Sequence, residues 1–397
     1  MTTVHYDPYD VDIDRDPYPT WRRLRDEAPL YRNEEHGFWA LSRWDDVKPA
    51  LVDWETYRSG HGTVLDIIKA DIELPPGIIL FEDPPLHDAH RALLSRVFTP
   101  RRMLDLEPLV RSFCVSALDA LLDRDEFDVI GELGVEVPLR TIGYLFGIPD
   151  EDQVAYRKAA DDAIATDGTA TFAASSLDEV LGVLADYVEW RSANPGDDLM
   201  TELLQATVEE PDGSSRQLTR DEAVTYASMI AGAGSETATR LIGFTMQLLA
   251  EHPHQRELLV EDPSLIPAAI EEVLRVEPPS PVQARYVERD VEVHGTTVAA
   301  GSIMLLLNGS ANRDERHWNE PDRFDVRRDD GPHLSFGYGL HFCLGAALAR
   351  LEGRVALEEV LRRWPDWEVD VDAGKMAHTA SVRGWGYLPV RPARRRV

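Results

Sequence analysis

Ten consecutive residues, Phe336-Gly337-Tyr338-Gly339-Leu340-His341-Phe342-Cys343-Leu344-Gly345, set one of the chain's two cysteines in a glycine-rich loop. The loop runs into Ala346-Ala347-Leu348-Ala349-Arg350-Leu351-Glu352, a strong helix former. The spacing predicts Cys343 at or near a helix N-terminus, where unpaired backbone N–H groups and the helix dipole favour a thiolate over a thiol. Gly337 and Gly339 permit backbone angles and close approaches denied to other residues, so something bulky can lie against the loop. A thiolate presented this way is a metal ligand or a nucleophile.

A second concentration of chemistry lies in a helical pattern. Thr219 and Glu222 are spaced as a capping box, and the pattern runs to about Glu251, where His252-Pro253 ends it. Its middle reads Ala231-Gly232-Ala233-Gly234-Ser235-Glu236-Thr237-Ala238-Thr239. Each glycine there costs roughly 1 kcal/mol relative to alanine. One reading is tight helix packing against small residues, with Glu236 in a salt bridge. The other is a locally opened helix whose small face admits a flat cofactor, while Thr237 and Glu236 manage protons. A dinucleotide fingerprint fails, because the third glycine is missing and the pair lies mid-helix.

Further along, Glu272 and Arg275 share a helix face at i and i+3, and Arg323 in Pro321-Asp322-Arg323-Phe324 is expected to complete a buried three-way ion pair. His87 and Arg91 share a face after Asp83-Pro84-Pro85. With Arg285 and His341 they make a set able to bind two carboxylates. Zinc held by His87, His90, His333, His341 and Cys343 is the alternative, but only His87-x-x-His90 and His341-x-Cys343 approach the short spacing of structural zinc sites. Nucleophilic cysteine catalysis lacks a specified base.

The elements that must position these residues are mostly helical from about Asp105 to Glu359, with apolar residues at three- and four-residue spacing. Strand signals are few: Gly37–Ser42, Val291–Val298 with Ile303–Leu307, Trp367–Val371 and Val382–Val390. Ser59–Ile79, rich in glycine, proline and isoleucine, reads as a long loop of the kind that covers binding sites. With 397 residues and 43% hydrophobic content, the chain can bury a large core. No apolar run reaches membrane-spanning length, and the N-terminus lacks the pattern of a signal peptide. Two cysteines provide no disulfide framework, which suits a reducing, cytoplasmic setting. A net charge of −30 argues against nucleic acid or an anionic membrane as partner. Arg91, Arg96, Arg101 and Arg102, with Arg350 and Arg354, are either solvated helix faces or a basic patch that docks an acidic protein.

Taken in order, these motifs make the chain resemble a soluble bacterial cytochrome P-450, a haem-thiolate monooxygenase. The loop matches F-G-x-G-x-H-x-C-x-G at every fixed position, and Ala233–Thr237 matches A-G-x-[DE]-T. Glu272 and Arg275 match E-x-x-R, Pro321–Phe324 matches P-x-R-F, and His87 with Arg91 matches H-x-x-x-R. The resemblance runs from about Pro17 to Val390.

It implies a mainly α fold with small β-sheets, a single domain over 1–397 with a short lead at 1–16, and haem b between the long helix and the cysteine-loop helix. Cys343 would be the iron's thiolate ligand. His87, Arg91, Arg285 and His341 would neutralise the haem propionates, Phe336 would pack beside the thiolate, and Ala233, Gly234 and Gly345 would line the haem faces. Glu272, Arg275 and Arg323 would be structural. Thr237 and Glu236 would activate oxygen and relay protons. Many relatives carry a second hydroxyl residue after Thr237, where this chain has Ala238, so a secondary relay is in question. By position, the substrate pocket would draw on Ile67, Ile68, Ile78, Ile79, Met229, Gly232, Ala233, Pro281, Val282, Ser381 and Val382. That lining suits a lipophilic small molecule such as an aromatic, terpenoid, steroid or macrolide metabolite. No flavin or nicotinamide fingerprint occurs, so the resemblance implies electrons from a ferredoxin and its reductase, docking at the arginine patch of a monomer. A peroxide-driven peroxygenase and a non-catalytic haem sensor or carrier are the alternatives.

Overall fold

A computed structural model describes residues 4–72, 74, 77–149, 185–209, 213–378 and 381–393. The parts of the expected helical stretch at 150–184 and 210–212, and residues 73, 75 and 76 of the expected loop, lie outside the described residues.

The helices that matter for the site are α1 (Leu65–Ala70), α2 (Leu86–Val97), α3 (Glu107–Asp119), α4 (Glu136–Leu145), α5 (Arg220–Glu251), α6 (Ile266–Val276) and α7 (Ala346–Arg363). The capping box at Thr219 and Glu222 forms as the spacing predicts, each side chain bonding the other residue's backbone N–H. From it α5 runs 32 residues without a break. It packs against α4 and α7, so most of its length is core, from Ala223 through Leu249. Helix α7 in turn lies on α3 and α6, and Leu348, Leu351, Val355 and Val360 form its buried stripe. α1 falls inside the segment expected as a loop; Leu65, Ile67 and Ile68 supply its buried side.

A five-stranded sheet takes strands from distant parts of the chain. They are β1 (Leu30–Asn33), β2 (Phe38–Leu41), β3 (Tyr57–Arg58), β4 (Gln283–Val287) and β5 (Ile303–Leu306), in the order β1-β2-β5-β4-β3. Only the β2–β5 pair is parallel. Strand β4, absent from the sequence expectations, carries Arg285 opposite Met304. Its burial does not alternate, which is why the pattern gave no strand signal. Near the C-terminus β6 (Lys375–His378) pairs with β7 (Arg383–Tyr387), and Trp367–Val369 pairs with Pro389–Pro392.

The first described residues, from Val4 onward, are integral. Tyr6 and Trp21 pack with Phe38, Ile68 and Val282 in one buried cluster. Arg383 at the start of β7 donates from Nε and Nη2 to the carbonyls of Asp14 and Arg15, and bonds the buried Glu277, which also accepts from Tyr18. Among the described residues no helix is long and apolar enough to cross a membrane.

Candidate active site

The cysteine loop is shaped by two left-handed glycines, Gly337 (φ 69°) and Gly339 (φ 74°). At Gly339 a Cβ would also come within 3.1 Å of the Leu51 carbonyl oxygen. The turn Gly339–His341 follows, and the Cys343 N–H donates to the Phe336 carbonyl at 2.8 Å. Cys343 thus sits three residues ahead of the first helical residue, Ala346, with Gly345 as the cap. The expectation of a favoured thiolate needs correction. Burial pushes the Cys343 thiol up and outweighs the Gly345 N–H, Arg91 and Arg350, which pull the other way. Phe336 is buried beside the loop, and the Arg350 guanidinium sits over its ring at 4.5 Å. Arg350 is held there by Glu271, at 2.7 and 2.9 Å.

Four cationic or hydrogen-bonding groups converge next to the loop. His87 on α2 and His341 have ring centroids 4.5 Å apart, and the Nε2 atom of each is buried without a hydrogen-bond partner. Arg91, one turn after His87, donates to the Phe342 carbonyl at 2.7 Å. Arg285 is fully buried, donating to the Ala284 carbonyl and Gln283 Oε1. Among the described residues no carboxylate forms an ion pair with it. Burial lowers Arg285 to about 10. Burial, and then Arg285, His87 and Arg91, lowers His341 to about 3. His87 Nδ1 lies 3.2 Å from Asp88 Oδ1, but Arg91, Arg285 and His341 have no carboxylate partner among the described residues, and such a set suits an anion. The donor chemistry fits a group with two carboxylates, as expected of haem b.

The small-residue stretch of α5 is the remaining element of the expected site. No opened turn exists there: the helix is continuous, and the Thr237 hydroxyl donates to the Ala233 carbonyl at 2.8 Å. The two glycines do different jobs. A Cβ at Gly234 would press on Ile142 of α4 at 3.2 Å, so it serves close helix packing. At Gly232 a Cβ would meet nothing within 4 Å, and the same is true of Gly345. Those open positions fit a flat group's faces. Glu236 is salt-bridged to Arg240 at 3.2 Å, and Arg240 also donates to the Trp385 carbonyl.

Glu272 and Arg275 are buried and joined at 2.7 and 2.9 Å. The expected third member is wrong. Arg323 points its side chain outward to Glu320 and Asp325, and only its carbonyl faces Arg275. Arg328 takes the place, its Nε 3.0 Å from Glu272 Oε1. No spacing signal marked it.

The basic patch is largely neutralised. Arg102 pairs with Glu202, Arg350 with Glu271, and Arg354 with Glu107 and Glu358. Arg96 and Arg101 are exposed.

The expected pocket residues divide. Pro281, Val282, Ser381 and Val382 line one cleft with Tyr6, Trp21 and Arg383. Ile67, Ile78 and Ile79 are buried and Met229 is half-buried; none of them lines this cleft. Sequence reasoning missed the N-terminal wall, having treated residues 1–16 as a lead.

The chain is similar to known proteins over nearly its whole length. The cytochrome P450 family model matches residues 177–380. A cytochrome P450 of Mycobacterium tuberculosis, numbered 123, is 40% identical over 97% of this chain and 96% of its own. The vitamin D(3) 25-hydroxylase of Pseudonocardia autotrophica is 34% identical over 98% of this chain and 96% of its own. The solved structure of cytochrome P450 CYP109Q5 from Chondromyces apiculatus superposes with a TM-score of 0.87 at 33% identity, covering 98% of both chains. The chain therefore belongs to the cytochrome P450 family: it is a monooxygenase that binds haem b.

Proposed function

We propose that this protein, as one domain, inserts an oxygen atom into a lipophilic small molecule using electrons from a ferredoxin. In this reading Cys343 holds the haem iron. The observation that carries it is the pair of unpartnered buried Nε2 atoms on His87 and His341, set beside Arg91 and Arg285 and next to the Cys343 loop. Those four residues would receive the two propionates, while Gly232, Ala233 and Gly345 leave room for the ring and Phe336 backs the sulfur.

When bound, the haem supplies the iron centre at which dioxygen is reduced and split between product and water. The chain's part is to place and move protons. Thr237 keeps its hydroxyl oriented through the Ala233 carbonyl, so one proton is held on the open face of α5. Glu236, partly exposed and tied to Arg240, can trade that ion pair for a proton from solvent and pass it towards Thr237. Glu272, Arg275 and Arg328 hold the backbone of the segment preceding the cysteine loop.

For electron delivery, exposed Arg96 and Arg101 are the basic contacts that remain open to an acidic ferredoxin, with exposed Phe342 and Leu104 as apolar ones. The substrate pocket would draw on Ile67, Ile78, Ile79, Met229, Pro281, Val282, Ser381 and Val382. A relative named for vitamin D(3) supports the lipophilic class.

The test is the carbon-monoxide spectrum of the reduced protein. It should show the Soret position of a thiolate-ligated haem and lose it in Cys343→Ala. A histidine-type band unaffected by that substitution would refute the proposal. Turnover supported by peroxide but not by a ferredoxin and its reductase would replace the electron route.

A further inference from the structure

Helix α2 carries a second histidine whose surroundings the haem cluster does not use. His90 is fully buried, with Nδ1 2.9 and 2.8 Å from the two oxygens of Glu82, itself buried. Glu82 Oε1 also accepts the Gly77 N–H at 2.8 Å, so the turn leading into Ile78 and Ile79 is tied to the same carboxylate. The other ring nitrogen, Nε2, has no partner. Edge-on to His90 stands Tyr226 of α5, ring centroids 5.4 Å apart, and its Oη is likewise buried and unpartnered.

Tyr226 precedes Ala233 by seven residues and Thr237 by eleven, so at 3.6 residues per turn all three share one stripe of α5. Its ring therefore belongs to the side of the helix proposed to face oxygen and substrate, roughly 16 Å along the axis from Thr237. A Cβ on Gly77 would touch Thr225 at 3.5 Å, so the turn leading into Ile78 and Ile79 packs on α5 one residue before Tyr226. Two buried polar atoms without partners, on rings in edge-to-face contact, are unfavourable unless a ligand completes them.

We propose that His90 Nε2 and Tyr226 Oη form a hydrogen-bonding subsite for a hydroxyl group on the substrate, so that preferred substrates are lipophilic alcohols. The inference rests on the substrate cavity proposed above. With Nδ1 engaged by Glu82, Nε2 accepts a hydrogen bond when the imidazole is neutral and donates one when it is charged. Burial, then Glu82 and Glu222, raises the Tyr226 phenol well above its ordinary range, so it keeps its proton to donate. A hydroxyl both gives and takes a hydrogen bond and completes either arrangement. An ether only accepts, and an alkane does neither.

The experiment titrates the haem-loaded protein with 1-dodecanol, farnesol and cholesterol, each beside its methyl ether. Binding is followed by the spin-state shift and, independently of the haem, by the ligand-induced rise in Tm. At least one alcohol should bind about tenfold more tightly than its ether. Tyr226→Phe, which removes a single oxygen, should erase that preference while leaving the ether's affinity unchanged; His90→Phe should do the same. Preference surviving in Tyr226→Phe overturns the subsite. So does equal weakening of both probes, or failure of every alcohol to bind. The reduced carbon-monoxide spectrum of each variant reports separately on the haem-thiolate reading. An intact spectrum with unchanged preference sinks the subsite alone.

Discussion

Arg328 reaches into the protein to lie 3.0 Å from Glu272 Oε1, the oxygen that also accepts from Arg275. Glu272 is 2% exposed, so its charge depends wholly on these two guanidinium groups and on the Asp325 N–H. Arg275 spreads the constraint by donating to the carbonyls of Asn312, Pro321 and Arg323. Helix α6 is thereby fastened to the segment that leads into the cysteine loop. Removing one partner of such a pair costs roughly 3–5 kcal/mol. Arg328→Met should therefore lower stability markedly, while Arg323→Met should stay within about 0.5 kcal/mol of the parent. Urea denaturation of the two variants checks this, and equal losses would contradict the assignment.

Glycines of the loop should respond differently to alanine. Gly339 has a positive φ and a carbonyl in the way, so Gly339→Ala should cost upwards of 1 kcal/mol. Gly345 has an ordinary φ of −84° and open space at its Cβ. Gly345→Ala should leave apoprotein stability within about 0.5 kcal/mol and instead lower haem content, measured by absorbance per chain.

Glu352 should give the protein a pH-dependent stability. It is buried on α7 with Oε1 unpartnered, and burial pushes its carboxyl up to about 8 against a weaker opposing hydrogen bond from Thr141. The folded state therefore binds a proton that the unfolded chain, with its ordinary value of 4.5, releases first. That contribution is complete below pH 4.5 and is lost as pH rises towards 8. Glu352→Gln should flatten the fall in unfolding free energy between pH 5 and pH 8, read from denaturant titrations across that window.

Cys114 should be inert. It is fully buried on α3, and burial followed by Glu352 and Glu359 raises its thiol to about 12. In Cys343→Ser, where Cys114 is the only thiol left, a native-state thiol titration should find none, and denaturation should release one.

Glu236→Gln removes the one acid next to Thr237 while keeping the amide near Arg240. If the proposed relay operates, product formation should fall by roughly 10²-fold. The ligand-induced spin shift should persist, because binding does not need the proton. Unimpaired turnover would remove Glu236 from the relay.

Local chemistry was legible from the residues. The cysteine loop, the capping box and the Glu272–Arg275 pair depend on neighbours within a few positions, where spacing dictates geometry. His87 with Arg91 needed only one helical turn. Other features depend on how the chain path returns to itself. Arg328 displaced Arg323 because the backbone turns the Arg323 side chain outward, a choice made by packing. Strand β4 was hidden because its burial does not alternate, and it joins a sheet most of whose other strands lie far away in the chain. The thiol of Cys343 was expected to ionise readily from its place before a helix, but surrounding atoms set its solvation, and desolvation outweighs the nearby N–H and arginines. The sequence by itself determined which chemistry is present and what cofactor it serves. Tertiary structure decided which groups are left without partners, His87, His341, His90 and Tyr226 among them, because burial and hydrogen-bond satisfaction are properties of the packed chain.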